Sequence, residues 1–150
     1  MQRPARIAVF GGREIPPQIY DDAREIGRLL AAEGWLVYCG GGDGVMEAIC
    51  RGVSEGGGTT VGILKGRDLS EANPWVTIPV ATAMGISRNA LLAYNGDVAL
   101  AIDGKYGTLS EIAYAAQLQI PVIGYHTWDL PMVLPATTPA EVIQKIRENL

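Results

Sequence analysis

The sequence predicts an α/β chain: a doubly wound, mostly parallel sheet in three layers, with helices on both faces. Two observations carry this. Short apolar runs alternate with segments whose apolar residues recur at helical spacing, and the connections between them are brief. Glycine clusters, at 40–44 and 104–107 above all, sit where an apolar run hands over to a helix. A parallel crossover must pack its helix back onto the sheet, so such alternation covers both faces.

Residues 5–10 (ARIAVF) read as the first strand, ending at Gly11-Gly12. Residues 16–33 follow as a helix, with Ile19, Ala23, Ile26 and Leu30 in step and Gly34 as its stop. A second strand at 35–39 runs into Gly40-Gly41-Gly42. Asp43 is then placed as the cap of a helix reaching Gly56, with Val45, Met46, Ile49 and Val53 on its apolar side. Residues 59–64 form a third strand, 65–74 a polar, mobile loop, and 75–80 a short fourth strand. A helix at 87–95 precedes Val98–Ile102, an uninterrupted apolar run suited to a strand buried on both faces. That run breaks at Gly104 and Gly107, and Thr108 is expected to open the next helix. A sixth strand at 121–125, a proline-rich passage and a helix from Pro139 complete the reading, with no linker to divide it.

The 150 residues suit one domain, 1–150, and 48% hydrophobic with 19% charged residues is a globular balance. Glycine stands out: 19 residues is nearly twice the usual share of about 7%, and its clustering suggests loops that approach a ligand closely. A net charge of −4 and the lack of a basic stripe argue against a nucleic-acid partner, single-stranded DNA included. Cys39 and Cys50 read as reduced, buried thiols. The first residues lead straight into a strand, without the long apolar stretch of a leader, and no apolar run approaches membrane-spanning length. A cytoplasmic protein without a membrane partner is the expectation.

The glycine turns at 11–12, 40–44 and 104–107 each follow a strand, so all three open on the carboxyl edge, where open parallel sheets bind ligands. Free N–H groups and the helix dipole favour an anion there. The first large cluster, CGGGDG, is not the G-x-G-x-x-G dinucleotide pattern. Arg88 follows Met84-Gly85-Ile86-Ser87 on the same edge, where a guanidinium can grip phosphate through two bonds, unless it pairs with a surface acid. Asn89 suits a ribose hydroxyl or a helix cap. The expected ligand-binding set is therefore Gly11, Gly12, Gly40, Gly41, Gly42, Gly44, Met84, Arg88, Asn89, Gly104, Lys105, Gly107 and Thr108.

Glu111 has two readings. Thr108-Leu109-Ser110-Glu111 fits the capping box S/T-x-x-E, as does Thr138-Pro139-Ala140-Glu141, where no glycine loop precedes. Glu111 is thus a helix cap, a chemical carboxylate, or both. No metal-ligand spacing is present, His126 reads as a lone loop residue, and Ser54, Ser70 and Ser110 lack a nucleophile elbow.

Together, GGGDGVMEA, ANPWVTIPVATAMGISRNALL and DVALAIDGKYGTLSEIAYA resemble the family related to molybdenum-cofactor carrier proteins. More broadly they are similar to the LOG-type proteins, which include cytokinin nucleoside 5′-monophosphate phosphoribohydrolases. The resemblance implies a Rossmann-like fold, a dimer or larger homo-oligomer, and binding of a nucleotide or phosphate-bearing, molybdopterin-type cofactor. The alternative it implies is hydrolysis of a nucleoside 5′-monophosphate. There the motif PGGxGTxxE grips the phosphate, and its glutamate acts with an upstream arginine on an oxocarbenium-like transition state while orienting water. Gly104, Gly107, Thr108 and Glu111 match that motif, and Arg88 matches the arginine, so Arg88 and Glu111 are the implied catalytic pair. Asp103 replaces the proline and Lys105 the second glycine, and GGGDGVME is nearer the carrier branch than the GGGxxGLM form of the hydrolases. Tyr94, Tyr114 and Leu118 read as ordinary core packing, with burial against a partner helix the alternative.

Overall fold

The computed structural model describes residues 2–150. Its centre is a seven-stranded sheet: β1 (Arg6–Gly11), β2 (Leu36–Cys39), β3 (Thr60–Leu64), β4 (Ile78–Ala81), β5 (Val98–Ile102), β6 (Val122–Tyr125) and β7 (Val133–Ala136). The order is β4-β3-β2-β1-β5-β6-β7, and every neighbouring pair is parallel. The helices are α1 (Pro17–Ala32), α2 (Val45–Glu55), α3 (Asn89–Tyr94), α4 (Tyr106–Gln117) and α5 (Pro139–Glu148), with 3-10 turns at Leu69–Glu71 and Gly85–Arg88. The expected class is present, with one strand more than the six expected.

Strand alternation sends side chains to two cores. Ile7 and Val9 of β1, with Val98, Leu100 and Ile102 of β5, face α1, α2 and α5; Ala8 and Phe10, with Ala99 and Ala101, face α3 and α4. All five residues of β5 are buried, as expected of a central strand. The additional strand, β7, lies in the proline-rich passage, where Pro135 reads as a breaker. As the last strand of the sheet β7 has neighbours on one side only, and an edge tolerates proline. At the opposite edge β4 leaves Ile78 and Val80 exposed.

The winding direction reverses between β1 and β5, which pair in register from Ile7↔Val98 to Gly11↔Ile102. That register sets the Gly12 turn beside the Asp103 turn at the carboxyl edge. The loop at 65–74, expected to be mobile, is pinned instead. Asn73 is buried, its N–H donates to Gly41 O (2.8 Å) and its Nδ2 to Gly42 O (3.0 Å). A single buried asparagine thus holds the glycine loop after β2, which a polar composition does not reveal.

Helices α1 and α2 meet at two glycines. A Cβ on Gly27 would lie 2.5 Å from the Ile49 carbonyl oxygen, and one on Gly52 would collide with the Arg24 carbonyl. Alanine is the better helix former by about 1 kcal/mol, yet here the neighbour is backbone and has nowhere to go. Gly52→Ala is therefore expected to lower the unfolding free energy by about 2 kcal/mol, the scale of an overpacked core. Urea denaturation with an unchanged slope is the check, and a stabilised variant would show that the helices separate freely.

Candidate functional site

One cleft of about 470 Å³ opens at the strand-order reversal. Its lining includes Gly11, Gly12, Gly40, Arg88, Asn89, Lys105, Gly107, Thr108 and Glu111 from the expected residues, and Val9, Arg13, Glu14, Asp43, Met46, Lys65, Ile86 and Asp103 besides. Gly42 lines an adjoining recess, whereas Gly41, Gly44, Gly104 and Met84 line neither. Met84 is 44% exposed. Gly44 is spent on a tight fit: its φ is 66°, and Val45 N–H donates to Gly12 O at 2.9 Å, tying the start of α2 to the turn after β1. Asp43, expected as the cap of α2, is exposed and makes no cap bond; Gly44 takes the cap position.

Arg88 is not a surface arginine paired with an acid. It is 5% exposed, and its Nη1 donates to Gly40 O (2.9 Å) and Ile63 O (2.7 Å), the carbonyls at the ends of β2 and β3. Its Nε is buried without a partner. The 3-10 turn that carries it is held by Gly85 N–H donating to Lys65 O at 2.9 Å. Asn89 Nδ2 donates to Ser110 Oγ (3.2 Å), joining α3 to α4.

Helix α4 begins at Tyr106, two residues before the expected start, so Thr108 lies inside its first turn and caps nothing. Leu109 N–H is the first to bond along the helix, to Lys105 O at 3.0 Å. The N–H groups of Tyr106, Gly107 and Thr108 consequently have no main-chain partner, as at any helix start, and Gly107 and Thr108 line the cleft. Gly104 has φ 98° and has no room for a side chain beside Thr108; Gly107 has open space where a side chain would stand.

The two T-x-x-E segments part here. Thr138 Oγ1 accepts from Glu141 N–H at 3.1 Å, and Glu141 Oε2 accepts from Thr137 N–H and Oγ1, so that pair is a helix cap. Glu111 caps nothing. It is 7% exposed, lines the cleft with Arg88, and has neither an ion-pair nor a hydrogen-bond partner among the described residues. Burial pushes its carboxyl up to about 8, against the opposing pull of Arg88 and Lys65. At neutral pH the cleft therefore holds Glu111 as an acid with its proton on.

Asp103 adopts φ 54° and donates its N–H to Tyr125 O at 3.1 Å. Proline can do neither, so this turn does not follow the proline-glycine form of the hydrolase motif. The Asp103 carboxylate accepts from Gly104 N–H, and Lys105 reaches the cleft without an ion-pair partner. The loop is clamped from outside by Thr127 Oγ1 donating to Asp103 O (2.6 Å) and Trp128 Nε1 to Lys105 O (3.0 Å). His126 beside them is exposed and stays out of the cleft. Among the described residues no group of three or more His, Cys, Asp or Glu is placed to hold a metal ion, and no helix is long and apolar enough to cross a membrane. Cys39 and Cys50 are free, buried thiols with their sulfurs 3.4 Å apart.

The model of the SLOG cluster4 family matches residues 4–148. The chain belongs to that family. Its architecture is that of solved relatives. The molybdenum cofactor binding protein of the phototrophic bacterium Rippkaea orientalis superimposes with a TM-score of 0.93 at 32% identity, over 99% of this chain and 98% of that one. The molybdenum cofactor carrier protein of Chlamydomonas reinhardtii gives 0.90 at 29% identity, over 98% of each. A probable cytokinin riboside 5′-monophosphate phosphoribohydrolase of Oryza sativa subsp. japonica is 36% identical over 104 residues, 65% of this chain. The chain spans 42% of the rice protein's length. This SLOG cluster4 protein is thus a Rossmann-like member of the LOG-like branch that its motifs suggested.

The buried acid makes stability depend on pH. The folded carboxyl titrates above its unfolded value of 4.5, so the folded chain binds the extra proton between those limits. Its share of stability is present below about 4.5 and is lost as pH rises towards 8. The loss amounts to about 3 kcal/mol by pH 7. Glu111→Gln is expected to flatten that slope in urea titrations run from pH 5 to 8; equal slopes for both proteins would remove the buried acid.

Proposed function

We propose that this SLOG cluster4 protein binds a nucleotide or a phosphate-bearing, molybdopterin-type cofactor in the cleft at the strand reversal. The observation that carries the reading is the α4 N-terminus. Its Gly107 and Thr108 N–H groups lack main-chain partners, and the buried Arg88 and the unpaired Lys105 share the cleft that Gly107 and Thr108 line. Aligned N–H groups, a helix dipole and cations favour a phosphate. The two molybdenum cofactor proteins of the same fold support the choice of ligand class.

Gly107 provides the test, because a side chain there meets no protein atom. Calorimetric titration with nucleoside monophosphates and phosphorylated pterins should find a ligand. Gly107→Asp should weaken it at least tenfold while the melting temperature holds. Failure of every such compound to bind at millimolar concentration would overturn the proposal.

A second reading, N-glycosidic hydrolysis of a nucleoside 5′-monophosphate, is favoured by Glu111 standing unpartnered with Arg88 in that cleft. Its protonated state suits donation of a proton to the departing base better than the carboxylate role expected from the motif. Incubation with AMP should then release adenine at a rate that falls as pH rises through about 8, and Glu111→Gln should abolish release. Absence of free adenine leaves the binding function.

We also place homo-oligomer contacts on the side of the sheet that carries α3 and α4. Ile86, Tyr94 and Tyr106 are 75%, 62% and 80% exposed and Tyr114 is 43% exposed, so neither Tyr94 nor Tyr114 is the core residue expected. The free thiols suit the reducing cytoplasm.

A further inference from the structure

The chain has twelve Lys and Arg side chains. Arg3, Arg6, Arg24, Arg28, Lys145 and Arg147 form ion pairs, and Arg51 lies over the Trp75 ring. Of the five that remain, four line the cleft: Arg13, Lys65, Arg88 and Lys105. Only Arg67 is elsewhere. An acidic protein has gathered its unpaired positive charge in one place.

These four do not form one cluster. Lys105 belongs to the α4 turn. Arg13, Lys65 and Arg88 also line an adjoining recess of about 350 Å³, under the glycine loop that follows β2, from which every residue of the 103–108 turn is absent. Three separate carboxyl-edge connections bring them together: Arg13 follows the β1 turn, Lys65 follows β3, and Arg88 ends the 3-10 turn before α3. Glu71 is the single acid in the lining of the recess, and it makes no ion pair with any of the three within 4.0 Å. Glu111 opposes them from the main cleft, but it is held there as a neutral acid. Burial first, and then the charges of Arg13 and Arg88, hold the Lys65 amine below its ordinary value. Like charges gathered without an acid between them repel one another, and an anion that enters relieves that repulsion.

We infer that Arg13 and Lys65, with Arg88 between the two lobes, form a second oxyanion subsite, so that the ligand carries two phosphate-class groups, one at the α4 turn and one in the recess. The inference rests on the reading of the cleft as a phosphate site. It adds Arg13 and Lys65 as determinants of which phosphorylated ligand is held.

The chain contains only three lysines, Lys65, Lys105 and Lys145, which makes the test direct. Protein grown with lysine labelled with ¹³C at Cε is titrated with inorganic phosphate at low salt. The Lys65 and Lys105 signals should both move to saturation with separate dissociation constants, while Lys145, paired with Glu141 on α5, stays. Arg13→Gln should weaken the Lys65 response at least fivefold and leave that of Lys105, and Gly107→Asp should do the reverse. A Lys65 signal that never moves overturns the inference. So does one that follows Lys105 with the same constant and the same loss in Gly107→Asp. A responding Lys65 beside a silent Lys105 supports the subsite while removing the α4 turn as the phosphate site. The two readings therefore fail separately.

Discussion

A guanidinium out of water must be satisfied, and Arg88 is satisfied by main chain on one nitrogen. Its Nη1 bridges the carbonyls of Gly40 and Ile63, so the ends of two neighbouring strands, β2 and β3, are held to the 3-10 turn that carries it. Truncating such a group would strand buried carbonyls as well as remove a charge. The glycine after β2 follows from the same bond, because a side chain at Gly40 would collide with Arg88 Nη1. Asn73 holds the same loop from the other side. The parts of the cleft wall are thus tied to each other through main-chain atoms.

The electrostatics depend on this arrangement too. Half of the basic residues balance acids on the outer surface, as Arg24 and Arg28 do with Glu55. Four of the others, Arg13, Lys65, Arg88 and Lys105, meet at the carboxyl edge, where the helix start adds its own positive end. Glu14, Asp43 and Asp103 keep the cleft from being uniformly basic, and Asp103 turns its carboxylate on the adjacent Gly104 N–H. Burial neutralises Glu111, which shifts the local balance towards anions without any change in composition. A net charge of −4 argues against a wide nucleic-acid face, yet it says nothing about this small positive interior.

Glu111 shows why spacing has limits. The segments at 108–111 and 138–141 are equivalent as patterns, and the difference lies in where each helix starts. The turn at 103–105 admits two further residues before Thr108, which sends Glu111 into the cleft instead of back over the helix end. That turn is fixed by Tyr125, Thr127 and Trp128 across the β5–β6 edge. The place of Lys65 and Arg13 in the cleft is hidden in the sequence for a related reason. Each sits in a polar connection with no motif, and only the parallel sheet order sets those connections side by side.

The class of fold, most strand and helix positions, the glycine turns and Arg88 were all legible in the sequence, because apolar period and glycine placement are local properties. The family was legible too, because its motifs are contiguous. The seventh strand was not, since an edge position excuses a proline that a central strand would refuse. Nor was the charge state of Glu111, which depends on atoms more than twenty residues away. Which cations share a pocket, and whether a carboxyl keeps its proton, are set by burial and by charges brought close from distant parts of the chain. Those quantities exist only once the sheet has closed around its order reversal.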